Sequence, residues 1–140
     1  MLLLNSMNIQ NTNLGIFIWR FNMGALMLMH GIYKLFNGLS YIEGLFANLK
    51  LPEILAYGVY LGEVVAPILL LIGFRTRFAA IVFALTMVVA ILMSHMHQLA
   101  SLGKSGAWAI ELNALFLLGA LGLVFTGGGK YAISSENKWD

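Results

Sequence analysis

The sequence predicts an all-α fold, a four-transmembrane-helix antiparallel bundle with a short interfacial helix between the first and second spans. Of the 140 residues, 60% are hydrophobic and only 10% are charged, whereas soluble domains average about 45–50% apolar and about 25% charged residues. Four apolar stretches are each long enough to cross a hydrocarbon layer of about 30 Å, which takes about 20 helical residues. No polar block could form a second domain, so residues 1–140 are predicted to be a single membrane domain.

The composition also excludes some classes of function. A formal net charge of +2 is too small to indicate a nucleic-acid-binding protein. The chain has no cysteine, so it forms no disulfide and supplies no thiolate for redox or zinc chemistry. Any redox role therefore requires a bound cofactor or a partner protein.

The four predicted spans follow a short leader and are joined by connections of different length. The first 13 residues contain no basic residue and no small-residue cleavage site, so they are not predicted to be a cleaved signal peptide. Only residues 74–76 separate the second and third spans, so these helices must form an antiparallel hairpin. The predicted spans are Leu14 to Phe36, Glu53 to Gly73, Arg77 to Met96 and Ala107 to Phe125.

The connection between the first two spans has a helical pattern of its own, over about residues 41–50. Apolar residues recur there at positions i, i+3, i+4 and i+7, while polar residues face elsewhere. This segment is too short to span a bilayer and is predicted to lie in the membrane interface. Pro52 then precedes the second span, at a position where its missing N–H costs nothing. The apolar residues are Ile42, Leu45, Phe46 and Leu49.

The distribution of basic residues predicts the orientation in the membrane. Arg75 and Arg77 flank the short loop after the second span, and Lys130 and Lys138 follow the fourth span. An even number of spans puts these four residues on one side, which the positive-inside rule assigns to the cytoplasm together with both termini. The other side carries three lysines, so the arginine loop decides the prediction.

Ionisable residues inside the spans are the main candidates for function, because a charged side chain costs about 2.5 kcal/mol or more at the bilayer centre. Such residues normally face the interior of a bundle and pair with one another. A rise of about 1.5 Å per residue places one of them from each helix in a common band in the outer half. The band consists of His30, Glu63, His95 and Glu111. The full set of candidates for ligand binding or proton handling is Arg20, His30, Lys34, Tyr60, Glu63, His95 and Glu111.

Arg20 is predicted to reach Glu63 with its long side chain. Pro67 removes a helical hydrogen bond to the carbonyl four residues earlier, which belongs to Glu63 itself, so this position offers a spare acceptor beside a carboxylate. The pattern leaves two alternatives open, a structural ion pair between Arg20 and Glu63 or a site for a ligand.

Glycines predict where the first two spans approach each other. Gly24 and Gly31 lie on the same face of the first span as Arg20. Gly58 and Gly62 in the second span have the small-xxx-small spacing that permits close helix packing in membranes. We therefore expect the first two spans to pack along these glycines.

A haem or metal site is geometrically conceivable but is not predicted. His30 and His95 come from different helices at comparable depth, as the axial ligands of a haem would. However, neither Glu63 nor Glu111 is followed by a histidine three residues later, the spacing used by carboxylate metal sites in four-helix bundles. The sequence therefore predicts no metal site, and it identifies no catalytic residue.

The order of these residues along the chain resembles the DoxX family. The resemblance covers nearly the whole chain, from about Leu14 to Thr126. The resemblance does not rest on any single motif. It rests on the order along the chain of an arginine, a His-Gly-x-x-Lys motif, a glutamate and a Gly-x-x-Thr-Arg motif. These stand here as Arg20-Phe-Asn-Met-Gly24, His30-Gly31-Ile-Tyr-Lys34-Leu35, Leu51-Pro52-Glu53, Glu63 and Gly73-Phe-Arg-Thr-Arg77, followed by a histidine at the end of the third span.

The resemblance implies a four-helix protein of the bacterial cytoplasmic membrane, in a family named after a subunit of a thiosulfate:quinone oxidoreductase. We therefore expect a redox-associated subunit that binds a quinone or another lipid-soluble molecule in the polar band. Its expected partners are the lipid bilayer and a membrane or redox protein, and haem is not expected. The alternative is a non-catalytic membrane module that assembles partner proteins. The sequence leaves open whether the chain is an enzyme and whether it forms oligomers.

Overall fold

The computed structural model describes residues 11–140, and over this range the protein is all-helical with no β-strand. The prediction of an all-α fold is confirmed, whereas most of the leader considered as a signal peptide, residues 1–10, lies outside the described residues. We number the helices in chain order and treat consecutive helical turns as one helix. They are α1 (Thr12–Asn37), α2 (Ser40–Asn48), α3 (Glu53–Ile72), α4 (Thr76–Gln98) and α5 (Glu111–Thr126).

Two of the helices, α3 and α4, are long and apolar enough to cross a membrane. Helix α5 is apolar but has only 16 residues. Helix α1 is the longest at 26 residues, but its charged residues and histidine leave it less apolar than α3 and α4. Helix α2 has nine residues and lies where the sequence predicts a short helix.

The two apolar helices are not regular throughout. Helix α3 opens with a 3₁₀ segment, Glu53–Gly58, and contains a π-helical segment, Leu61–Val65, just before Pro67. Proline cannot donate the usual helical hydrogen bond, so wider turns before it are a physical consequence of the sequence. Helix α4 ends similarly in a π-helical segment, Ile91–His95. Such segments occur often at functional sites.

The four longer helices pack in the order α1, α3, α4, α5, with α5 returning to contact α1. Small residues, methionines and two phenylalanines fill the space between them; Phe83 and Phe116 lie with ring centroids 5.7 Å apart. Many large apolar side chains instead remain exposed on the outward faces, which is typical of a surface that contacts lipid. They include Leu85, Leu115, Leu118 and Phe125.

The predicted glycine packing is correct for α1 and wrong for α3. A Cβ atom added at Gly24 would lie 2.9 Å from the Pro67 carbonyl oxygen, and one at Gly31 would overlap the Glu63 carbonyl. Gly62 instead faces Thr86 of α4, and Gly58 has no neighbour within 4 Å in the part of the chain that the structure describes. The reason is helical phase: α3 turns Glu63 and Pro67 toward α1, so Gly62, one position earlier, points about 100° away.

Helix α5 begins at Glu111, later than the predicted start at Ala107. The preceding residues form a turn instead, in which Trp108 Nε1 donates a hydrogen bond to the Leu99 carbonyl oxygen at 2.8 Å. A single antiparallel bridge between Leu102 and Trp108 closes the turn. Glu111 therefore lies in the first turn of α5, at its end, and not a turn inside the helix as predicted.

The segment that follows α5, residues 127–140, folds back against the end of the bundle where α3 turns into α4. The Ile133 N–H donates to the Ile72 carbonyl oxygen at 3.3 Å, and the Ser134 N–H donates to that of Gly73 at 3.1 Å. The Trp139 carbonyl oxygen accepts from the first N–H groups of α4, those of Arg77 and Phe78. It satisfies donors that a helix start leaves without an intrahelical partner.

Candidate functional site

The most prominent polar contact inside the bundle is an ion pair between α1 and α3. Lys34 Nζ lies 2.5 Å from Glu63 Oε1, and the side chains are 27% and 6% exposed. Lys34 lies in the last turn of α1, and Glu63 lies in the π-helical segment of α3. Because the two helices are antiparallel and packed closely at Gly31, the lysine side chain needs to cover little distance to reach the carboxylate.

Glu63 uses only one of its two carboxylate oxygens. Its Oε2 atom is buried and has no hydrogen-bond partner within residues 11–140. Buried polar atoms are nearly always hydrogen-bonded, so this one is a candidate point of attachment for a ligand or a water molecule. Tyr60, three residues before Glu63, donates a hydrogen bond from its hydroxyl to the Lys34 carbonyl oxygen at 3.3 Å. Three candidates from the sequence, Lys34, Tyr60 and Glu63, therefore meet here.

Arg20 does not belong to this group, and the predicted pair of Arg20 with Glu63 is wrong. Arg20 is fully buried; its guanidinium donates to the Leu70 carbonyl oxygen, to that of Leu71 at 3.1 Å and to that of Tyr131 at 3.2 Å. The residue of α1 opposite Glu63 is Gly31, which lies about 16 Å along the helix from Arg20. Arg20 therefore binds the C-terminal end of α3 and the returning segment.

His30 lies on the side of α1 that faces α5. It is exposed, and its ring contacts Phe116 edge-on with centroids 6.5 Å apart. Residues i and i+4 share a helix face, so His30 and Lys34 lie one turn apart on the same side of α1. A cleft of about 360 Å³ opens between α1 and α5 at this point. Its lining residues are Leu26, Met29, His30, Tyr33, Leu112 and Phe116.

The remaining two candidates stand apart from the ion pair. His95 Nδ1 lies 3.3 Å from the Ala90 carbonyl oxygen of its own helix, and Glu111 is exposed. Within the described range, neither these residues nor His30 makes a hydrogen bond or ion pair with Glu63. The same range contains no group of three or more His, Cys, Asp or Glu residues placed to hold a metal ion. The predicted cluster of polar side chains from four helices is therefore not found in this part of the chain. Instead, polar side chains of two helices, α1 and α3, contact each other.

Two polar contacts in the structure were not anticipated from the sequence. Lys34 was a candidate without an assigned partner, although antiparallel pairing of α1 and α3 about Gly31 would have placed it near Tyr60 and Glu63. The second contact joins Arg75 Nη1 and Asp140 Oδ1, 3.6 Å apart. These residues are 65 positions apart, and nothing in the local pattern predicts that residues 127–140 fold back.

Comparisons with known proteins agree with the motif order. The family model described as DoxX matches residues 15–96, more than half of the chain, including Arg20, Lys34 and Glu63. A protein of Bacillus subtilis (strain 168) named "Putative oxidoreductase CatD" is 28% identical over 114 residues, which cover 81% of this chain and 80% of the relative. No solved structure matches the chain. The family match and the two apolar helices together indicate a membrane protein.

Proposed function

The chain belongs to the DoxX family, and from this premise we propose that it is a redox-associated subunit that binds a quinone or another lipid-soluble molecule at the pair of Lys34 and Glu63. The name of the Bacillus subtilis relative, "Putative oxidoreductase CatD", supports the redox association. The chain has no cysteine, so a bound cofactor or a partner protein must exchange the electrons. The proposal assigns binding and proton handling to this chain.

One observation carries the proposal, the buried and unpaired Oε2 atom of Glu63. A buried carboxylate oxygen without a partner costs free energy, about 1–3 kcal/mol or more when the group is charged. Within the described residues, Lys34 satisfies the other oxygen but none satisfies this one. A hydroxyl of a bound molecule would supply the missing hydrogen bond.

Each of the three neighbouring side chains has a role that follows from its chemistry. Glu63 accepts a hydrogen bond or a proton from a ligand hydroxyl. Lys34 is a donor with three N–H groups, only one of which is engaged by Glu63. Tyr60 supplies a further hydroxyl at the same depth. A carbonyl oxygen of a ligand would find its donor in Lys34, because the one O–H of Tyr60 already donates to the Lys34 carbonyl oxygen.

We propose the cleft between α1 and α5 as the route from the lipid to this pair; His30 on its wall lies one turn from Lys34, which is not itself a lining residue. The lining of the cleft is mostly apolar, with His30 and Tyr33 as the residues that carry polar groups. A lipid-soluble molecule would meet His30 first and Lys34 second. Arg20 has no role in binding in this proposal, because both terminal nitrogens of its guanidinium donate to backbone carbonyl groups away from the pair.

The proposal places the protein in the bacterial cytoplasmic membrane with four spans, α1, α3, α4 and α5. The apolarity of α3 and α4 supports two of them. The antiparallel packing of α1 and α5 beside them supports the other two, since a helix packed along a span runs through the same layer. Helix α2 would then lie in the interface, and both termini would face the cytoplasm.

The test is to extract and identify by mass spectrometry the small molecules that copurify with wild type and with Glu63→Gln. Glu136→Gln is the matched control, because Glu136 is an exposed carboxylate in the returning segment, at the other end of the bundle. We expect wild type and the control to retain a quinone or similar lipid that Glu63→Gln loses, while all three remain folded in detergent. Equal retention in all three proteins, or none in any, would contradict the proposal. A Glu63→Gln protein that is unfolded would favour the assembly module.

A further inference from the structure

Aromatic and basic side chains from two distant parts of the sequence form one cluster at the end of the bundle. The α3–α4 turn and start of α4 supply Phe74, Arg75, Arg77 and Phe78, and the returning segment supplies Lys138 and Trp139. We call these six residues the basic aromatic cluster. It shares no residue with the pair of Lys34 and Glu63, so it stands independently of the proposed function.

Direct contacts hold the cluster together. The Arg75 guanidinium lies 5.4 Å from the centre of the Phe74 ring, and Lys138 Nζ lies 5.5 Å from that of Trp139. The Phe78 and Trp139 rings meet edge-on with centroids 6.3 Å apart. The Trp139 carbonyl oxygen accepts the Arg77 N–H at 3.0 Å, so the backbone fixes both segments in place.

The cationic groups of the cluster are incompletely neutralised. Arg75 Nη1 lies 3.6 Å from Asp140 Oδ1, close enough for an ion pair but too far for a normal hydrogen bond. Arg75 Nη1 and Arg77 Nε are buried and have no hydrogen-bond partner within residues 11–140, so they are not themselves the atoms that reach a headgroup. The cluster carries three cations, and the one ion pair described for them joins Arg75 to the Asp140 side chain, whose Oδ2 also accepts hydrogen bonds from Ser134 Oγ and the Asn137 N–H. The other side-chain nitrogens of Arg75, Arg77 and Lys138 lie outside this buried set and donate no hydrogen bond within the described range, so the cluster has available donors and a net positive charge.

The rings of the cluster are partly exposed beside these cations. Phe74, Phe78 and Trp139 are 40%, 49% and 44% exposed. Tryptophan, here Trp139, is typical of the level of the lipid headgroups, where basic side chains attract anionic lipids. We propose that the basic aromatic cluster binds the phosphate headgroups of anionic phospholipids, with its rings among the glycerol and upper acyl groups.

The positive charge of the cluster favours an anionic lipid headgroup over a zwitterionic one. An anionic headgroup presents several phosphate oxygens and no cation, so it can accept hydrogen bonds from Arg75, Arg77 and Lys138 without repulsion. A zwitterionic headgroup would bring its own ammonium group close to these side chains. The expected preference is therefore for phosphatidylglycerol over phosphatidylcholine.

The test uses the purified full chain in mixed micelles containing either phosphatidylglycerol or phosphatidylcholine, with bound lipid counted by native mass spectrometry. We compare wild type with the double variant Arg77→Gln, Lys138→Gln. The control is Lys50→Gln, Lys104→Gln, which removes the same number of charges from exposed positions outside the cluster. Each cation at a lipid surface contributes about 5-fold in affinity, so the cluster variant should bind phosphatidylglycerol about 25-fold more weakly.

Salt and single variants complete the experiment. Binding of phosphatidylglycerol to wild type should weaken as ionic strength rises, because the contacts are exposed to solvent. Lys138→Gln alone serves if the double variant unfolds, since Lys138 is exposed and makes only the contact with Trp139 among those described; it should lose about 5-fold. No preference of wild type for phosphatidylglycerol, or an equal loss in the control, would overturn the inference.

Discussion

At the scale of single residues, two buried charged side chains are compensated in different ways. Glu63 is held by Lys34, whereas Arg20 donates to backbone carbonyl groups and lies 5.5 Å from the centre of the Phe17 ring. Both arrangements keep a charge inside an apolar helix, which requires compensation by hydrogen bonds or an opposite charge. Each residue keeps one buried side-chain atom without a hydrogen-bond partner among residues 11–140, Oε2 of Glu63 and Nε of Arg20, and the arrangement we propose uses that of Glu63.

Removing the partner of Glu63 should destabilise the protein strongly. Lys34→Met leaves a buried carboxylate unpaired, and we expect a loss of about 3–5 kcal/mol in the free energy of unfolding. Unfolding in mixed micelles with increasing sodium dodecyl sulfate measures it. The double variant Lys34→Met, Glu63→Met should recover most of this loss, and Lys50→Met, at an exposed lysine, is the control. If Lys34→Met costs no more than the control, the pair does not stabilise α1 against α3.

Asp140 gives the returning segment a dependence on pH. Partial burial favours its neutral form, but hydrogen bonds from Ser134 and Asn137 and the charge of Arg75 outweigh it, so the pKa lies below the ordinary value of 3.8. A lowered folded pKa means that the carboxylate stabilises the segment above pH 3.8, and that this contribution is lost as pH falls through the folded pKa.

A titration of tryptophan fluorescence from neutral to acidic pH tests this dependence, since Trp139 adjoins Asp140. Wild type should show a transition below pH 3.8 that Asp140→Asn lacks. Glu136→Gln, at an exposed carboxylate of the same segment, should keep the transition. A Trp139→Phe variant identifies the signal. A transition that persists in Asp140→Asn would assign it to another group.

At the scale of helices, one glycine decides how closely α1 and α3 approach. Gly31 packs against the Glu63 carbonyl, and this closeness lets Lys34 reach the carboxylate. The π-helical segment Leu61–Val65 and Pro67 shape the facing side of α3. The ion pair is thus a product of backbone geometry as well as of charge.

Alanine at Gly31 should separate these helices. Its Cβ would overlap backbone atoms of Glu63, which cannot rotate away, so we expect Gly31→Ala to destabilise the protein by about 1–3 kcal/mol. Gly15→Ala is the control on the same helix, since Gly15 has nothing within 4 Å among residues 11–140. There alanine should be neutral or stabilising by up to about 1 kcal/mol. Detergent unfolding of both variants measures the difference; equal stabilities would contradict the packing.

At the scale of the whole molecule, the two ends differ in chemistry. One end carries the basic aromatic cluster and the returning segment, and the other carries α2 and the turn before α5. The outward faces between them are apolar. Because the two ends can be told apart, finding the side of the membrane on which one end lies determines the orientation of the whole molecule.

The orientation can be measured directly because the chain has no cysteine. Ser105→Cys and Ser135→Cys introduce single exposed thiols at opposite ends. We expect a membrane-impermeant maleimide to label Cys variants at position 105 in intact cells, and those at position 135 only after permeabilisation. The reverse pattern would place both termini outside, and labelling of both in intact cells would contradict an even number of spans.

Local sequence pattern was enough to predict the positions of the helices, the family and part of the candidate site. Hydropathy located the helices to within about four residues, because apolar runs bounded by Pro, Gly and charged residues have few alternatives. The order of motifs determined the family. The candidate residues Lys34, Tyr60 and Glu63 were also identified from sequence, since ionisable groups in apolar helices are rare.

Only the tertiary structure decided which of these residues meet. The partners of Arg20 and Glu63 depend on the register of α1 against α3, which a contact at Gly31 sets and which depth along a helix cannot reveal. The basic aromatic cluster depends on backbone hydrogen bonds between residues 72–78 and 133–139. Such bonds carry no signature in side-chain type, because every residue except proline can donate them.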